Sequence, residues 1–373
     1  MPELSSKRQS FLSFQPPALD EREIEAVAET LRSGWLTTGP RTAELETRMR
    51  DYLQAEHVLA VASGTAALHM SLVALGVGPG DEVITTSLTW PATANVIVHC
   101  GATPLFADIR DDTLNVDAER VRELVTDKTK AIIPVDLYGQ PADLDELAAL
   151  GLLIVEDAAH AAESIYRGRK VGSIADLTCF SLYATKNIAA GEGGLIATNR
   201  GDLAEALDDL RVMRRGHGSL YDIAVPGYKA NLSDVLASIA LVQLDKVDDH
   251  AEIRRRHVAL YDEGLAELDG ITPVARDPRD VHANHLYVVR ITFADRDDVQ
   301  RALADENIGT SIHFLPVHQL SAYRERLAPN QPPLPVTERA GREVLSLPLS
   351  PAHSDEDVRD AIAALRRVHE RLS

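Results

Sequence analysis

The sequence predicts an α/β protein whose larger part is a mainly parallel β-sheet covered by helices on both faces. Over the first two thirds of the 373 residues, short β-branched runs alternate with amphipathic segments. Alternation of this kind is typical of parallel sheets, because each connection between parallel strands crosses over the sheet. After about residue 232 the pattern changes to long helices and then to a smaller α+β unit.

Seven segments of the larger unit have the composition of strands. They are Val58–Val61, Glu82–Thr86, Thr103–Ala107, Ala131–Val135, Leu152–Val155, Leu177–Ser181 and Leu195–Ala197. Helical patterns separate most of them, at Ala66–Leu75, Pro91–Cys100 and Asp117–Thr126. The order of these elements predicts a seven-stranded sheet.

The rest of the chain begins with helical patterns at Ser233–Val247 and His250–Leu268. The second contains Arg254, Arg255 and Arg256, and because three adjacent side chains cannot share one helix face, a solvated surface is favoured over a substrate clamp. The remaining predicted elements are a strand at His285–Phe293, a helix at Asp295–Asn307, a strand at Gly309–Phe314, a loop at Pro329–Pro335 and three short helical segments. We therefore predict a large unit at 1–248 and a smaller α+β unit at 249–373.

Composition argues against several kinds of partner. Apolar residues make up 45% of the chain, and the net charge of −19 repels nucleic acids and anionic membranes. The only cysteines, Cys100 and Cys179, lie in or beside apolar segments, which predicts reduced thiols. Residues 1–14 lack an apolar core of signal-peptide length, and polar residues interrupt the least polar long stretch, 58–78. We expect a soluble cytoplasmic protein with no nucleic-acid or membrane partner.

An amine and a carboxylate follow two of the predicted strands. The segment SLYATKNIAAGEGG (Ser181–Gly194) carries Lys186, and IVEDAAHA carries Asp157. Because the carboxyl ends of parallel strands meet at one edge, these side chains are expected to converge. Pyridoxal phosphate needs such a pair: the amine bonds its aldehyde, and the carboxylate keeps its pyridine nitrogen protonated. The alternative for Lys186 is a surface lysine in a loop.

A candidate phosphate site lies in SGTAALHMSL (Ser63–Leu72), where Gly64 permits a tight turn between a strand and a helix. Free backbone amides, hydroxyl groups and the helix dipole favour an anion there. An ordinary helix cap explains the same residues. The neighbouring GVGPG (Gly76–Gly80) follows a helix, whereas a dinucleotide fingerprint follows a strand, so it is interpreted as a turn.

Two ring side chains complete the candidate site. Trp90 follows a strand in SLTWPATAN and could stack on a pyridine ring, with a core tryptophan as the alternative. His160 lies three residues after Asp157 and could contact the cofactor or fill a polar niche. Asp157 closes an apolar run, which predicts that a cation pairs with it.

Together these segments resemble the DegT/StrS group of nucleotide-sugar aminotransferases, which are fold-type I pyridoxal-phosphate enzymes. The resemblance covers essentially the whole chain. Further matching blocks are SGWLTTGP (Ser33–Pro40), GATPLFADI, DLYGQPADLDEL, GYKANLSDVLASIALVQL (Gly227–Leu244) and IGTSIHFLPVH (Ile308–His318). The chain most resembles the branch that aminates C4 of a keto sugar, in which tryptophan likewise follows the Ser-Leu-Thr block and histidine follows Glu-Asp-Ala-Ala.

The resemblance implies a role for each matching residue, with Lys186 as the catalytic lysine and Asn231 reaching the cofactor of the other subunit in a homodimer. The implied cofactor-binding residues are Gly64, Thr65, Ala66, Trp90, Asp157, His160, Ser181, Lys186 and Asn231. The implied substrate-binding residues are Thr38, Tyr183, Lys229, His313 and His318. The implied reaction transfers the amino group of L-glutamate to a nucleotide-linked 4-keto sugar, a 4-keto-6-deoxyhexose or a 4-keto pentose, without a metal.

Three alternatives accompany this interpretation. The acceptor could be a 3-keto sugar. Some relatives deoxygenate sugars and carry histidine in place of the lysine, and Lys186 argues against that reaction. A non-catalytic regulator of the same fold is the third alternative, and the intact lysine, acid and phosphate segment argue against it.

Overall fold

A computed structural model describes residues 7–212, 223, 225–328 and 331–373. The helices in these ranges are α1 (Glu21–Ser33), α2 (Pro40–Leu53), α3 (Gly64–Ala74), α4 (Ala92–His99), α5 (Ala118–Leu124), α6 (Leu144–Ala148), α7 (Gly201–Val212), α8 (Asp234–Asp245), α9 (Val247–Leu265), α10 (Arg296–Asp305), α11 (Ser321–Arg324), α12 (Pro335–Glu343) and α13 (Asp355–Leu372). The strands are β1 (His57–Val61), β2 (Glu82–Thr86), β3 (Thr103–Ala107), β4 (Thr129–Ile133), β5 (Leu153–Asp157), β6 (Ile165–Tyr166), β7 (Arg169–Lys170), β8 (Leu177–Ser181), β9 (Gly194–Thr198), β10 (Ile271–Pro273), β11 (Tyr287–Ile291) and β12 (Val344–Leu347). Short 3₁₀ turns lie at Leu137–Gly139 and Val317–Gln319.

Seven strands form one sheet in the order β1-β9-β8-β5-β4-β2-β3. β9 is antiparallel to β1 and β8, and the other neighbouring pairs are parallel. This arrangement confirms the predicted seven-stranded, mainly parallel sheet. β5 extends two residues beyond its predicted end, so that Asp157 is its last residue.

The carboxyl ends of the parallel strands lie along one edge of this sheet. The antiparallel β9 starts at the same edge with Gly194, which pairs with Val61 on one side and Ser181 on the other. A Cβ on Gly194 would lie 2.5 Å from the carbonyl atoms of Ser63, so only glycine fits between these strand ends. This close approach brings the segment after β1 next to the end of β8.

The smaller sheet has the order β10-β11-β12, with antiparallel pairs throughout. The predicted strand at Gly309–Phe314 is wrong, because this polar segment forms only a single bridge, between Ser311 and Ser346. The fully buried run VLSL of β12 occupies the place beside β11 instead. The prediction of short terminal helices is also wrong for α13, which is 18 residues long and begins with a capping box at Ser354.

The sequence patterns did not predict α1 or α2. A local signal for α1 exists, since Asp20 caps its first turn and Glu23 bonds back to the Asp20 amide. Interior residues of α2, such as Leu45 and Met49, pack beside the large sheet with no exposed surface.

The three adjacent arginines of α9 have different environments. Arg255 and Arg256 are exposed and form surface ion pairs, as predicted. Arg254 is 3% exposed and pairs with the buried Glu163, so the solvated-surface interpretation is wrong for this residue. A helix in contact with protein on one side buries one of three consecutive side chains, and the sequence alone does not say which.

The boundary that we place between 248 and 249 falls in the first turn of α9, and the division stays a prediction. Pro329 and Asn330 of the predicted loop, and residues 1–6 of the N-terminal segment, lie outside the described residues. Residues 331–334 adopt neither helix nor strand, and Pro335 begins α12.

Both cysteines are free thiols, as predicted. None of the helices in the described ranges combines the length and apolarity needed to cross a bilayer.

Candidate active site

The end of β1 and the start of α3 form a cradle for an anion. The hydroxyl oxygen of Ser63 accepts the Ala66 amide at 3.1 Å, so the helix-cap explanation is correct for Ser63. The amides of Gly64 and Thr65 precede the first intrahelical bonds, and the helix dipole favours negative charge in front of them. A Cβ on Gly64 would lie 3.1 Å from the Cβ of Ser181, which places Ser181 directly beside this helix terminus.

Lys186 lies in the loop between β8 and β9, at the same edge of the sheet. Its amide donates to the carbonyl of Tyr183 at 2.8 Å, and its side chain is half-buried. Burial lowers the pKa of Lys186 to about 8, and the charge of Asp157 opposes this shift. The amine is therefore partly unprotonated near neutral pH, which a nucleophile requires. The alternative of an ordinary surface lysine is wrong.

Asp157 is 6% exposed at the end of β5. Its Oδ2 accepts the hydroxyl of Thr93 at 2.8 Å, and its Oδ1 accepts the amide of Ala159 at 3.3 Å. Burial raises the pKa of this carboxyl group, while Thr93, Ala159 and the charge of Lys186 oppose the rise. In the described part of the chain both hydrogen-bond donors are neutral, so a ligand that brings a positive charge would stabilise the carboxylate.

Trp90 lies at the rim of the site with 64% of its surface exposed, so the alternative of a core tryptophan is wrong. Its ring centroid is 6.2 Å from that of Phe314, and Phe314 stacks at 6.1 Å on the ring of His160. The three rings form a wall that runs from solvent into the site. Trp90 retains enough exposed surface to stack on a flat ligand.

His160 is a buried neutral imidazole. Its Nδ1 accepts the amide of Tyr138 at 3.3 Å, which assigns the ring proton to Nε2. Burial lowers the pKa of His160 well below its usual value, and the charges of Lys186 and His313 add to this. The ring can therefore donate a hydrogen bond from Nε2 without competing with Lys186 for a proton.

His313 faces the same site from the smaller unit. Its ring stacks at 5.5 Å on Phe14, its Nδ1 lies 2.9 Å from the hydroxyl of Ser346, and its carbonyl accepts the hydroxyl of Tyr138. Burial lowers the pKa of His313 to about 4, and the charge of Lys186 contributes.

Asn231, Thr38 and Lys229 form a separate polar cluster, here called the Asn231 cluster. The amide of Asn231 donates to the hydroxyl of Thr38, and the Nζ of Lys229 donates to Oδ1 of Asn231. The backbone of Asn231 forms a bridge with Val61 at the end of β1. In the described ranges no hydrogen bond joins this cluster to Lys186.

Tyr183 and His318 complete the predicted set. Tyr183 is 48% exposed and lies three residues before Lys186. The Nδ1 of His318 lies 2.7 Å from the hydroxyl of Ser87, and its Nε2 lies 3.4 Å from Glu338. Burial lowers the pKa of His318, and Glu338 opposes the shift. These contacts place His318 beside the segment after β2 rather than against Lys186.

Sequence reasoning missed residues that surround the predicted ones. They are Thr93, Asn187, His285, Phe314 and the pair Glu163 and Arg254. Two local signals could have indicated part of this set. Thr93 is a polar residue in the first turn of the helix that follows the candidate tryptophan, and Asn187 directly follows the candidate lysine.

The arrangement fits pyridoxal phosphate. Gly64 and Gly194 allow the ends of β1, β8 and β9 to approach each other closely, and the first amides of α3 at this junction are able to bind an anion. Lys186 offers a partly free amine, and Asp157 is a buried carboxylate bonded to neutral donors. Among the residues described, no three histidine, cysteine or acidic side chains are grouped to hold a metal ion.

Comparison with known proteins gives consistent matches over the whole chain. A family model for the DegT/DnrJ/EryC1/StrS aminotransferase family matches residues 17–366. The spore coat polysaccharide biosynthesis protein SpsC of Bacillus subtilis (strain 168) is 42% identical over 385 residues, which cover 97% of this chain and 98% of SpsC.

Two solved structures resemble the fold closely. The PLP-form of Spr1654 from Streptococcus pneumoniae has a TM-score of 0.92 and 35% identity, covering 97% of this chain and 100% of its own. DesI, crystallised in the presence of its TDP-sugar product, has a TM-score of 0.89 and 33% identity, covering 98% of this chain and 94% of its own. These likenesses confirm the predicted fold class.

Proposed function

Because the chain belongs to the DegT/DnrJ/EryC1/StrS aminotransferase family and is a pyridoxal-phosphate-dependent sugar aminotransferase, we propose that it moves the amino group of L-glutamate to a nucleotide-linked 4-keto sugar. The proposal that the site transfers an amino group rests on the convergence of Lys186 and Asp157 at one sheet edge beside the anion cradle. The proposal that the acceptor sugar is linked to a nucleotide is supported by DesI, which was crystallised in the presence of its TDP-sugar product.

Each residue of the site would have a defined task. Pyridoxal phosphate, when bound, supplies an aldehyde that carries an amino group between substrates and a ring that stores electrons. The free amides of Gly64 and Thr65 and the hydroxyl of Ser181 would hold its phosphate, whereas the Ala66 amide is already bonded to Ser63. Trp90 would cover the ring. The carboxylate of Asp157 would hold the proton on the ring nitrogen, because a negative partner favours the cation.

Lys186 would then move the proton. With a pKa of about 8, its Nζ exists partly as the free amine near neutral pH and can accept a proton from the donor α-carbon. The same Nζ, once protonated, can return the proton on the sugar side. His160 stays neutral in both steps and would donate a hydrogen bond from Nε2.

The choice of a 4-keto acceptor rests on the combination of Trp90 and His160. In the family this pair resembles the C4-aminating branch, whereas glutamine commonly stands at the position of His160 in the C3 branch. In this chain the two rings flank Phe314 and form one wall of the site. Nε2 of His160 offers one donor at this position of the wall, which differs from the amide that glutamine would supply.

We expect the purified enzyme to aminate 4-keto-6-deoxyhexose or 4-keto pentose nucleotides with L-glutamate and to leave 3-keto sugar nucleotides largely unchanged. The measurement is a panel of both acceptor classes on UDP, dTDP and GDP, read by the mass of the product, with L-aspartate and L-glutamine as alternative donors. Exclusive use of 3-keto acceptors would overturn the assignment to C4. The absence of product with every sugar nucleotide would favour the alternative of a non-catalytic regulator.

We further propose that the active unit is a homodimer whose sites are shared. The apolar helix α8 follows Asn231, and its residues Ala237, Ala240 and Leu241 are buried inside the subunit. Exposed apolar side chains lie on and after α1, and we call them the α1 patch (Ile24, Leu31, Trp35 and Leu36).

The α1 patch is continuous with the Asn231 cluster. The ring nitrogen of Trp35 donates to the carbonyl of Thr38 at 3.0 Å, and the hydroxyl of Thr38 accepts the Asn231 amide. An exposed apolar patch of this kind is a typical dimer surface. A partner that covers the patch would therefore also meet Asn231 and Lys229.

Mixing the two inactive variants Lys186→Ala and Asn231→Asp is expected to restore part of the activity. If each site takes Lys186 and Asn231 from different chains, a heterodimer holds one doubly defective site and one intact site. Random reassociation then gives roughly a quarter of the native activity. The measurement is turnover after reversible dissociation and mixing, with each variant treated alone as the control. Proven heterodimers without activity would mean that Asn231 serves its own subunit or does not touch the cofactor.

A further inference from the structure

The loop that carries Lys186 is anchored by a buried polar chain that the proposed mechanism does not use. Asn187 follows Lys186 directly and is 4% exposed. Its Nδ2 donates to both carboxylate oxygens of Glu163, at 2.9 and 2.8 Å, and lies 3.0 Å from the carbonyl of Ala283. Its Oδ1 lies 2.9 Å from Nδ1 of His285. Four polar contacts therefore converge on one buried amide.

Glu163 has a charged partner of its own. The guanidinium of Arg254, from α9, lies 3.0 Å from Oε1 of Glu163, and both side chains are buried. Lys170 on β7 and Tyr52 on α2 also face Glu163. Burial raises the pKa of Glu163, and Arg254 and Asn187 oppose the rise. Since an arginine stays charged in proteins, this pairing holds Glu163 as a carboxylate.

An ionised Glu163 determines the hydrogen positions along the chain. A carboxylate only accepts hydrogen bonds, so the Asn187 atom that faces it is the NH₂ group, and the atom that faces His285 is the carbonyl oxygen. An amide oxygen only accepts, so Nδ1 of His285 carries the ring proton. Burial lowers the pKa of His285 well below its usual value, which keeps the ring neutral. Nε2 of His285 is then a hydrogen-bond acceptor.

His285 and His160 consequently have opposite hydrogen-bonding characters. His160 accepts the Tyr138 amide through Nδ1 and carries its proton on Nε2. His285 donates its own amide to the carbonyl of Tyr138 at 3.1 Å, and the two imidazole rings lie 4.4 Å apart. The charge of Lys186 acts on both rings. The amide of Tyr138 thus holds the ring of His160 and its carbonyl holds the backbone of His285, while Asn187 sets the proton of the His285 ring.

We propose that Asn187 is the positioning residue of the active-site loop: held by Glu163, it fixes the backbone beside Lys186 and keeps the proton of His285 on Nδ1. A catalytic side chain on a loop needs such an anchor, because small misplacements of a reacting group cost much of its rate. Lys186 belongs to neither a helix nor a strand, so these side-chain contacts supplement the few backbone hydrogen bonds of its loop, such as the bond from its amide to Tyr183. The expected effect on turnover rests on the proposed function, whereas the expected tautomer of His285 does not.

The first test uses the native protein. Histidine labelled with ¹⁵N distinguishes the two neutral tautomers by long-range proton–nitrogen spectra, and the spectrum of His285→Gln assigns the signals of His285. The expected result is a neutral ring with its proton on Nδ1 throughout the pH range in which the protein stays folded. A ring with its proton on Nε2, or one that titrates as free histidine does, would overturn the proposal. This measurement requires neither turnover nor a folded variant at position 187.

The second test compares Asn187→Ala with a matched control, Asn199→Ala. The Asn199 amide also joins two chain partners, the Glu56 amide and the Ser173 carbonyl, but it lies at the opposite end of β9 from Gly194. For Asn187→Ala we expect kcat to fall on the order of 10- to 100-fold and the Nδ1–H tautomer of His285 to be lost. Asn199→Ala should change neither.

The outcomes distinguish a failure of the positioning role of Asn187 from a failure of the proposed amino transfer. Unchanged kcat and an unchanged His285 spectrum in Asn187→Ala would refute the positioning role while leaving aminotransfer intact. A native protein that transfers no amino group to any sugar nucleotide would contradict the proposed function, and the tautomer of His285 would still decide whether Asn187 has the assigned orientation.

Discussion

Replacing Lys186 by alanine is expected to abolish amino transfer, with a loss on the order of 10³-fold or more. The amine lies at this sheet edge, has a lowered pKa and interacts with the charge of Asp157. In the proposed mechanism its removal takes away the covalent anchor of the cofactor and the group that carries the proton. The variant should therefore bind pyridoxal phosphate only noncovalently.

Two measurements check this expectation. Turnover is followed by product mass, and covalent attachment is followed by the visible absorbance that borohydride bleaches when it fixes the cofactor to the chain. Lys186→Arg keeps a positive charge without a nucleophilic amine and should be equally inactive. Lys128→Ala, at an exposed position before β4, should behave as the native enzyme does. A cofactor that borohydride still fixes to the Lys186→Ala chain would show that another amine is the anchor.

Asp157→Asn is expected to lower turnover by at least ~100-fold while the protein remains folded. The substitution keeps the shape and an oxygen that can accept the Thr93 hydroxyl, but it removes the charge that would hold a proton on the ring nitrogen. Burial raises the pKa of Asp157, so a neutral amide at this buried position should not lower the melting temperature.

A matched variant separates charge from hydrogen bonding. Thr93→Val removes the donor to Oδ2 and leaves the carboxylate in place, so its loss of turnover should be much smaller than that of Asp157→Asn. Both variants are compared by kcat, by cofactor content and by melting temperature. Near-native turnover in Asp157→Asn would contradict the role of the charge.

Much of the fold follows from local patterns. All seven strands of the large sheet were predicted to within two residues at each end, because apolar β-branched runs and intervening helical periodicity are local properties of the sequence. The smaller unit was predicted less well. Gly309–Phe314 was predicted to be a strand, but β12 pairs with β11 and Gly309–Phe314 forms only a single bridge. Tertiary packing, not the local sequence, determines which segment pairs with β11.

The central pair of the site was also predictable, whereas its surroundings were not. Lys186 and Asp157 follow strands whose direction and order place them at one edge, so their convergence is a consequence of topology. Asn187 and His285 are 98 positions apart, and Glu163 and Arg254 are 91 apart, with no motif that links either pair. Such contacts appear only when the smaller unit packs against the larger one.

The sequence by itself determined the sheet, the edge that carries the chemistry, and the lysine and acid that face it, because strand period, strand direction and residue type are encoded locally. The tertiary structure decided which of three adjacent arginines is buried, that residues of α8 pack inside the subunit while the α1 patch remains exposed, and which partners face Nδ1 of His160 and of His285. The physical reason is that burial and hydrogen-bond partners depend on distant parts of the chain. A side chain's charge and tautomer are set by those partners rather than by its neighbours in sequence.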